Sequence, residues 1–278
     1  MTGTQMSMIG KQPSLIQWVP PKRAPIKDDA VQIVRRTVKK PGNGKCVHCL
    51  ADPVERNWDH MFPKSWYPDT TPENLEKWKI PSCIPCNDRY GKLERDLMNR
   101  LALSLDSKNP ASAGLAERAL RGINPEKAKN EGDAAARDAR ARKLLREMLK
   151  GEEIAAVNVV PGLEDRWNQA AEQQEAIKIP EGSLTAVAEK IVRGIVYRED
   201  NVFIEPPYKI ECFLDGEHAK PTKEVLDRQG EVFRREPGLE IRRAAEEEDA
   251  QSALYEITLW DQLKLYASVA KSDEDSTG

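Results

Sequence analysis

Several things are scarce or missing in this chain of 278 residues. Five cysteines are too few for a disulfide-built secreted scaffold. No stretch approaches the roughly 18 uncharged apolar residues that cross a bilayer, and no charged-then-apolar leader opens the sequence. Membrane insertion and secretion are therefore not expected, and the cytoplasm is the expected location. There is no internal repeat, and residues 151–278 show no phosphate-binding glycine loop, no nucleophile elbow and no second metal cluster. Ser183, Cys212 and His218 lack companions at diagnostic spacing and read as structural. What is present is polar but patterned, with 39% apolar residues, 32% charged residues and a mean hydropathy of -0.65. That composition excludes a chain disordered throughout.

The net charge of -3 hides an asymmetry. Residues 1–105 carry 17 Lys/Arg against 11 Asp/Glu, whereas residues 106–278 carry 26 against 35. Any contact with a polyanion is expected at the front of the chain.

Four of the five cysteines form two Cys-x-x-Cys pairs, Cys46/Cys49 and Cys83/Cys86, with 33 residues between the pairs. Two such knuckles present four thiolates to one tetrahedral ion, which is the pattern of a structural zinc site. A redox Cys-x-x-Cys normally occurs singly at a helix start, so the doubling argues against redox chemistry. Cys212 stands alone in an apolar stretch and reads as core.

The element pattern is α+β. Residues 1–30 contain four prolines and no sustained periodicity, as in a flexible arm, and Val31–Val38 reads as a short strand or helix entering the first knuckle. Tyr90, Leu93, Leu97, Leu101 and Leu105 recur at helical spacing, predicting an amphipathic helix from the second knuckle to about residue 105. Residues 107–130 read as a linker with short helical pieces. Asp133–Lys150 reads as a helix with Leu144, Leu145, Met148 and Leu149 on one side. Its Arg137, Arg140, Arg142, Lys143 and Arg146 fit a solvated face better than a phosphate-binding one, because acidic residues are interspersed. Ser183–Glu199 reads as a helix, and Tyr208–Leu214, Glu231–Arg235, Leu239–Arg243 and Ala253–Ala267 as strands. The expected organisation is an arm (1–30), a zinc-knuckle domain (31–106), a helical linker (107–150), an α+β accessory domain (151–267) and an acidic disordered tail (268–278).

The chemistry concentrates between and just after the knuckles, in Trp58-Asp59-His60-Met61-Phe62-Pro63-Lys64, then Asn74-Leu75, then Cys83-Ile84-Pro85-Cys86-Asn87. Asp59 offers a carboxylate and Asn87 an amide oxygen, the ligand types that a hard cation such as Mg²⁺ prefers. His60, with an ordinary pKa near 6.5, can take a proton from water at neutral pH. The set suits metal-assisted phosphodiester hydrolysis. The alternative is that Asp59 and His60 only tie down the loop of a zinc ribbon. Neighbours on an extended strand face opposite ways, so these two residues need distinct partners unless the backbone bends.

The order Cys-x-x-Cys, Asp-His-x-x-Pro, Asn-Leu, Cys-x-x-Cys-Asn resembles the HNH endonuclease family, whose core is the ββα-metal fold. The resemblance covers roughly residues 35–105. It implies His60 as general base, Asp59 and Asn87 as ligands of a catalytic Mg or Mn ion, Asn74 as brace of the loop between the strands, and structural zinc on Cys46, Cys49, Cys83 and Cys86. Two departures stand out. The Gly-Gly often found after Asp-His-x-x-Pro is replaced by Ser65-Trp66-Tyr67-Pro68, and the usual Lys-Gly after the last motif position appears reversed as Gly91-Lys92.

The fold expected is thus a small zinc-stabilised ββα-metal module, a helical linker and a mixed α+β C-terminal domain. The function expected is metal-dependent hydrolysis of DNA, with RNA also open as a substrate. Lys64, Arg89, Lys92 and Arg95 flank the centre and are candidates to neutralise phosphates, or are ordinary exposed cations. Trp66, Tyr67 and Trp78 stack on bases or, more commonly in so small a module, fill its core. Two rival readings are a non-catalytic zinc module that binds nucleic acid, and a nuclease effector regulated by a ligand or partner through its C-terminal domain. The acidic remainder leaves room for a regulatory protein or a second copy as partner.

Overall fold

A computed structural model describes residues 40–155, 159–163, 173–235 and 237–272. The expected arm, the segment Val31–Val38 and residues 273–278 of the expected tail lie outside the described residues. No helix among the described residues is long and apolar enough to cross a membrane.

The architecture is mixed α+β. Strands β1 (Arg56–His60) and β2 (Lys79–Cys83) pair antiparallel, with Asp59 opposite Ile80 and His60 opposite Lys79. Helix α1 (Ile84–Ser104) follows β2 without a loop. Cys83, extended at φ -66°, is its N-cap, and Pro85 falls in the first turn, where its missing N–H costs nothing. Tyr90, Leu97 and Leu101 turn inward as their spacing requires, and Leu105, again extended, ends the helix.

Residues 107–130 hold the short helical pieces expected there. Helix α2 (Leu115–Ile123) is nine residues long, and 3₁₀ turns at Pro110–Ser112 and Pro125–Lys127 precede and follow it. Asn109 and Asn124 open these turns by accepting from the amides of Ala111 and Glu126. Helix α3 (Glu131–Arg146) stops short of the expected residue 150, because Met148–Lys150 leaves as strand β3. Leu145 is accordingly 67% exposed rather than inward. Three of the five cations on this helix are spent on carboxylates, Arg137 on Asp133, Arg142 on Asp138 and Lys143 on Asp96. A short helix α4 (Glu152–Ala155) follows, and β3 pairs with β4 (Glu175–Ile177).

Helix α5 (Ser183–Asp200) ends at Asn201 in the left-handed conformation. Strand β5 (Tyr208–Leu214), helix α6 (Lys220–Gln229) and strands β6 (Glu231–Arg234), β7 (Leu239–Ala245), β8 (Ala253–Leu259) and β9 (Leu263–Lys271) complete the chain. They build an antiparallel sheet in the order β5-β9-β8-β7-β6. The single strand expected over Ala253–Ala267 is a hairpin. Trp260 and Asp261 both adopt positive φ, and the Gln262 amide donates back to Leu259. Ser268–Lys271 belongs to β9 rather than to the expected tail.

The sheet is covered on both sides, which explains why β8 is buried at six of its seven positions. Tyr255, Ile257, Leu265 and Val269 join the large core that also holds Ile191 and Ile195 of α5. Tyr266 and Ala244 face the other way, onto Leu226 of α6. That large core does not break at residue 106 or 150, since Val47, Phe62 and Leu97 belong to it as well. Trp66 and Tyr67 fill it, as does Trp78 at 3% exposure. Cys212 packs at its edge, and burial pushes its thiol up to about 12.

Helix α5 joins the two halves by a stripe of residues four apart. Lys190 meets Asp59, Gly194 lies over Met61 and Ile80, and Arg198 stacks on the Trp78 ring at 5.0 Å. A Cβ on Gly194 would stand 3.1 Å from Met61 Cγ and 3.2 Å from Ile80 Cδ1, so any larger residue would push those side chains aside by a few tenths of an ångström.

Candidate metal centre and histidine site

The four knuckle cysteines converge. Their sulfurs all lie within 4.8 Å of one another, so the group could hold a structural metal such as zinc. The first knuckle is a tight turn in which the Leu50 amide donates to the Cys46 carbonyl with Leu50 at φ 64°. The second is the junction of β2 and α1. The Cys83 amide donates to Cys46 Sγ at 3.3 Å, tying the knuckles together. Burial pushes the Cys83 and Cys86 thiols up. Burial also acts to raise Cys46, but the backbone amides of Cys49, Cys83 and His48 outweigh it and hold that thiol at about 7.

Asp59 and His60 point to opposite sides of β1. Asp59, 4% exposed, faces α1 and α5. Its Oδ2 lies 3.0 Å from His48 Nε2, and its Oδ1 accepts from Lys190 Nζ at 3.0 Å. The same ammonium donates to the His60 carbonyl at 2.8 Å and to Glu94 Oε1. His48 lies between the first two cysteines of the quartet, with its ring 4.7 Å from Tyr90. Burial lowers its pKa despite Asp59, so His48 is the neutral partner in a hydrogen bond rather than half of an ion pair. Burial raises Glu94 to about 7, against the pull of Lys190.

His60 is half-buried. Its Nε2 is buried and has no hydrogen-bond partner among the described residues. Burial, then the charges of Lys64 and Lys79, hold its pKa at about 4, so the ring is neutral at physiological pH. Neither lysine is ion-paired among the described residues.

Asn87 lies in the first turn of α1. Its Nδ2 donates to Asn57 Oδ1 at 2.7 Å and, more weakly, to the Trp58 carbonyl at 3.5 Å. Asn74 is exposed in the β1–β2 connection, where the Thr71 hydroxyl donates to the Pro68 carbonyl at 2.7 Å. Lys64, Arg89, Lys92 and Arg95 are all exposed, and Arg89 stacks on Tyr90 at 4.8 Å. The structure thus gathers Asp59, His48, Lys190 and Glu94 on one side of the hairpin and leaves His60 with Lys64 and Lys79 on the other.

His48, Glu94 and Lys190 were not expected in the centre. Lys190 did carry a signal, being a charged residue inside the apolar stripe of Val187, Ile191 and Ile195. His48 and Glu94 carried none, since a knuckle residue and a carboxylate on a charged helix are unremarkable by sequence.

The two shifted groups pull stability in opposite directions with pH. Glu94, raised from 4.5 to about 7, contributes most below 4.5, and that contribution is lost as pH rises toward 7. His60, lowered from 6.5 to about 4, contributes above 6.5 and loses its contribution as pH falls toward 4. Glu94→Gln is therefore expected to remove a loss on the order of 3 kcal/mol on the neutral side, and to leave the acid side unchanged. Melting curves from about pH 4 to 8 measure this, and a variant profile parallel to the parent's would refute it.

Comparison with protein-family models, with curated proteins and with solved structures finds no match.

Proposed function

We propose that this chain hydrolyses DNA phosphodiester bonds in the manner of the HNH endonucleases it resembles, with His60 as general base. The observation that carries this reading is His60, a neutral imidazole whose buried Nε2 has no partner among the described residues and which sits beside Lys64 and Lys79, neither ion-paired among those residues. A polar atom left in that condition favours a ligand that fills it, and a water bound to a phosphate held by Lys64 and Lys79 has the right chemistry. In the step proposed, His60 takes a proton from that water as its oxygen bonds to phosphorus. The bond from phosphorus to the 3′ oxygen breaks, and the departing alkoxide takes its proton from solvent. The run of β1, β2 and α1, with the cysteine quartet at its base, accords with a ββα-metal module.

The Mg-class ion that the resemblance assigns to Asp59 and Asn87 does not fit the residues as they stand. Asp59 is bonded to His48 and to the buried Lys190 ammonium, so an ion on it would stand beside a fixed positive charge. No step is therefore routed through it. The same engagement of Asp59 favours a second reading, a zinc module that binds nucleic acid without cutting it.

One assay separates them, in which zinc-loaded protein is mixed with supercoiled plasmid and Mg²⁺ or Mn²⁺. Nicking is expected, and His60→Ala should lower its rate about 10²- to 10⁴-fold while zinc content and melting temperature hold. Equal rates in variant and parent would end the role of His60, and binding without nicking under either ion would favour the second reading.

A further inference from the structure

The misfit at Asp59 has a specific cause. Lys190 is completely buried, and its three donors are fully used, on Asp59 Oδ1 at 3.0 Å, the His60 carbonyl at 2.8 Å and Glu94 Oε1. Asp59 keeps unused lone pairs, because a carboxylate accepts about four hydrogen bonds. Any ion taking them would stand beside the ammonium, in a buried site where like charges repel most strongly. The chain thus supplies Asp59 with its own cation.

We propose that Lys190 is the built-in competitor of a divalent ion for Asp59, so that the seating of α5 sets the ion's affinity. This rests on the nuclease reading only for the identity of the centre. The ion binds the arrangement in which the ammonium has withdrawn, and its apparent affinity falls with the fraction of molecules in that arrangement. Helix α5 is placed to control that fraction. On the hairpin side it carries Lys190 and the bare Gly194, and elsewhere it packs against β5 and β9 of the C-terminal sheet. A shift of the sheet that moves α5 therefore moves the ammonium.

The test measures binding rather than cleavage. Zinc-loaded full-length protein is titrated with Mn²⁺, and free Mn²⁺ is followed by electron paramagnetic resonance. Lys190→Met is expected to bind one Mn²⁺ at least tenfold more tightly than the parent. Adding Asp59→Asn should abolish the gain, and Lys190→Arg, which keeps the charge, should stay weak. Equal affinities in Lys190→Met and parent, or no uptake by either, would overturn the proposal.

Because Lys190→Met leaves two buried carboxylates without their cation, the parent provides a second measurement. Lys190 should be protected from reductive methylation without Mn²⁺ and become reactive as Mn²⁺ saturates. Saturation with Lys190 still protected would also overturn the proposal. Plasmid nicking is scored separately, and tighter Mn²⁺ uptake without nicking in any variant removes the nuclease reading while the competition stands.

Discussion

Stripping zinc from the cysteine quartet is expected to lower the melting temperature by at least 10 °C. Structural zinc sites are worth about 10–16 kcal/mol in small zinc peptides. If only a third of that acts here, roughly 4 kcal/mol, the shift is about 10 °C for a chain of this size. The effect should spread beyond the knuckles because of where the cysteines sit. Cys83 is at once the last residue of β2 and the N-cap of α1, and its amide is already bonded to Cys46 Sγ. Loss of an ion held there would therefore free the first knuckle and leave buried thiols without a partner at the start of the central helix. Cys83→Ser should reproduce the shift and release the metal in a chelator-competition assay. Unchanged melting after verified zinc removal would show that the quartet does not hold the fold.

Trp260→Ala is expected to cost about 3–5 kcal/mol. The ring is completely buried against Trp66, with centroids 5.3 Å apart, and its Nε1 donates to the Trp66 carbonyl at 2.7 Å. Truncation opens a cavity and strands a buried carbonyl, two separate penalties. Trp260→Phe keeps most of the volume and loses the hydrogen bond, so it should cost about 1–3 kcal/mol. Denaturant melts of both variants give the ranking. A cost below 1 kcal/mol for alanine would contradict the packing described, and equal costs would assign the whole effect to the hydrogen bond. Trp66 ends the 3₁₀ turn that carries Lys64, so the alanine variant should also loosen the lysine beside His60.

What was legible in the sequence was what local pattern controls. The 3.6-residue spacing of Tyr90, Leu97 and Leu101 located α1, and the spacing of the cysteines identified a quartet that does converge. Tyr208–Leu214 was read to the residue. Errors arose where no punctuation marks a turn. The β8–β9 reversal is made by Trp260 and Asp261 at positive φ, without the glycine or asparagine that usually signals it. Helix α3 was overextended because Met148 and Leu149 continue its apolar pattern, and only pairing with Ala176 and Ile177 makes them a strand. In the centre, the alternation of Asp59 and His60 across β1 followed from strand geometry. The partner of Asp59 did not, because Lys190 lies 131 residues away and is chosen by the packing of α5.

That separation in sequence orders events in time. During synthesis the hairpin, its knuckles and α1 are all made long before the lysine that neutralises Asp59 and Glu94. Until α5 arrives, two carboxylates face each other without their cation, and the hairpin lacks the helix that covers it. The centre is therefore finished only after α5 has been made, and contacts spanning so much chain are the slow ones to form. A nascent or prematurely terminated chain would carry the Asp-His motif without the charge that seats it.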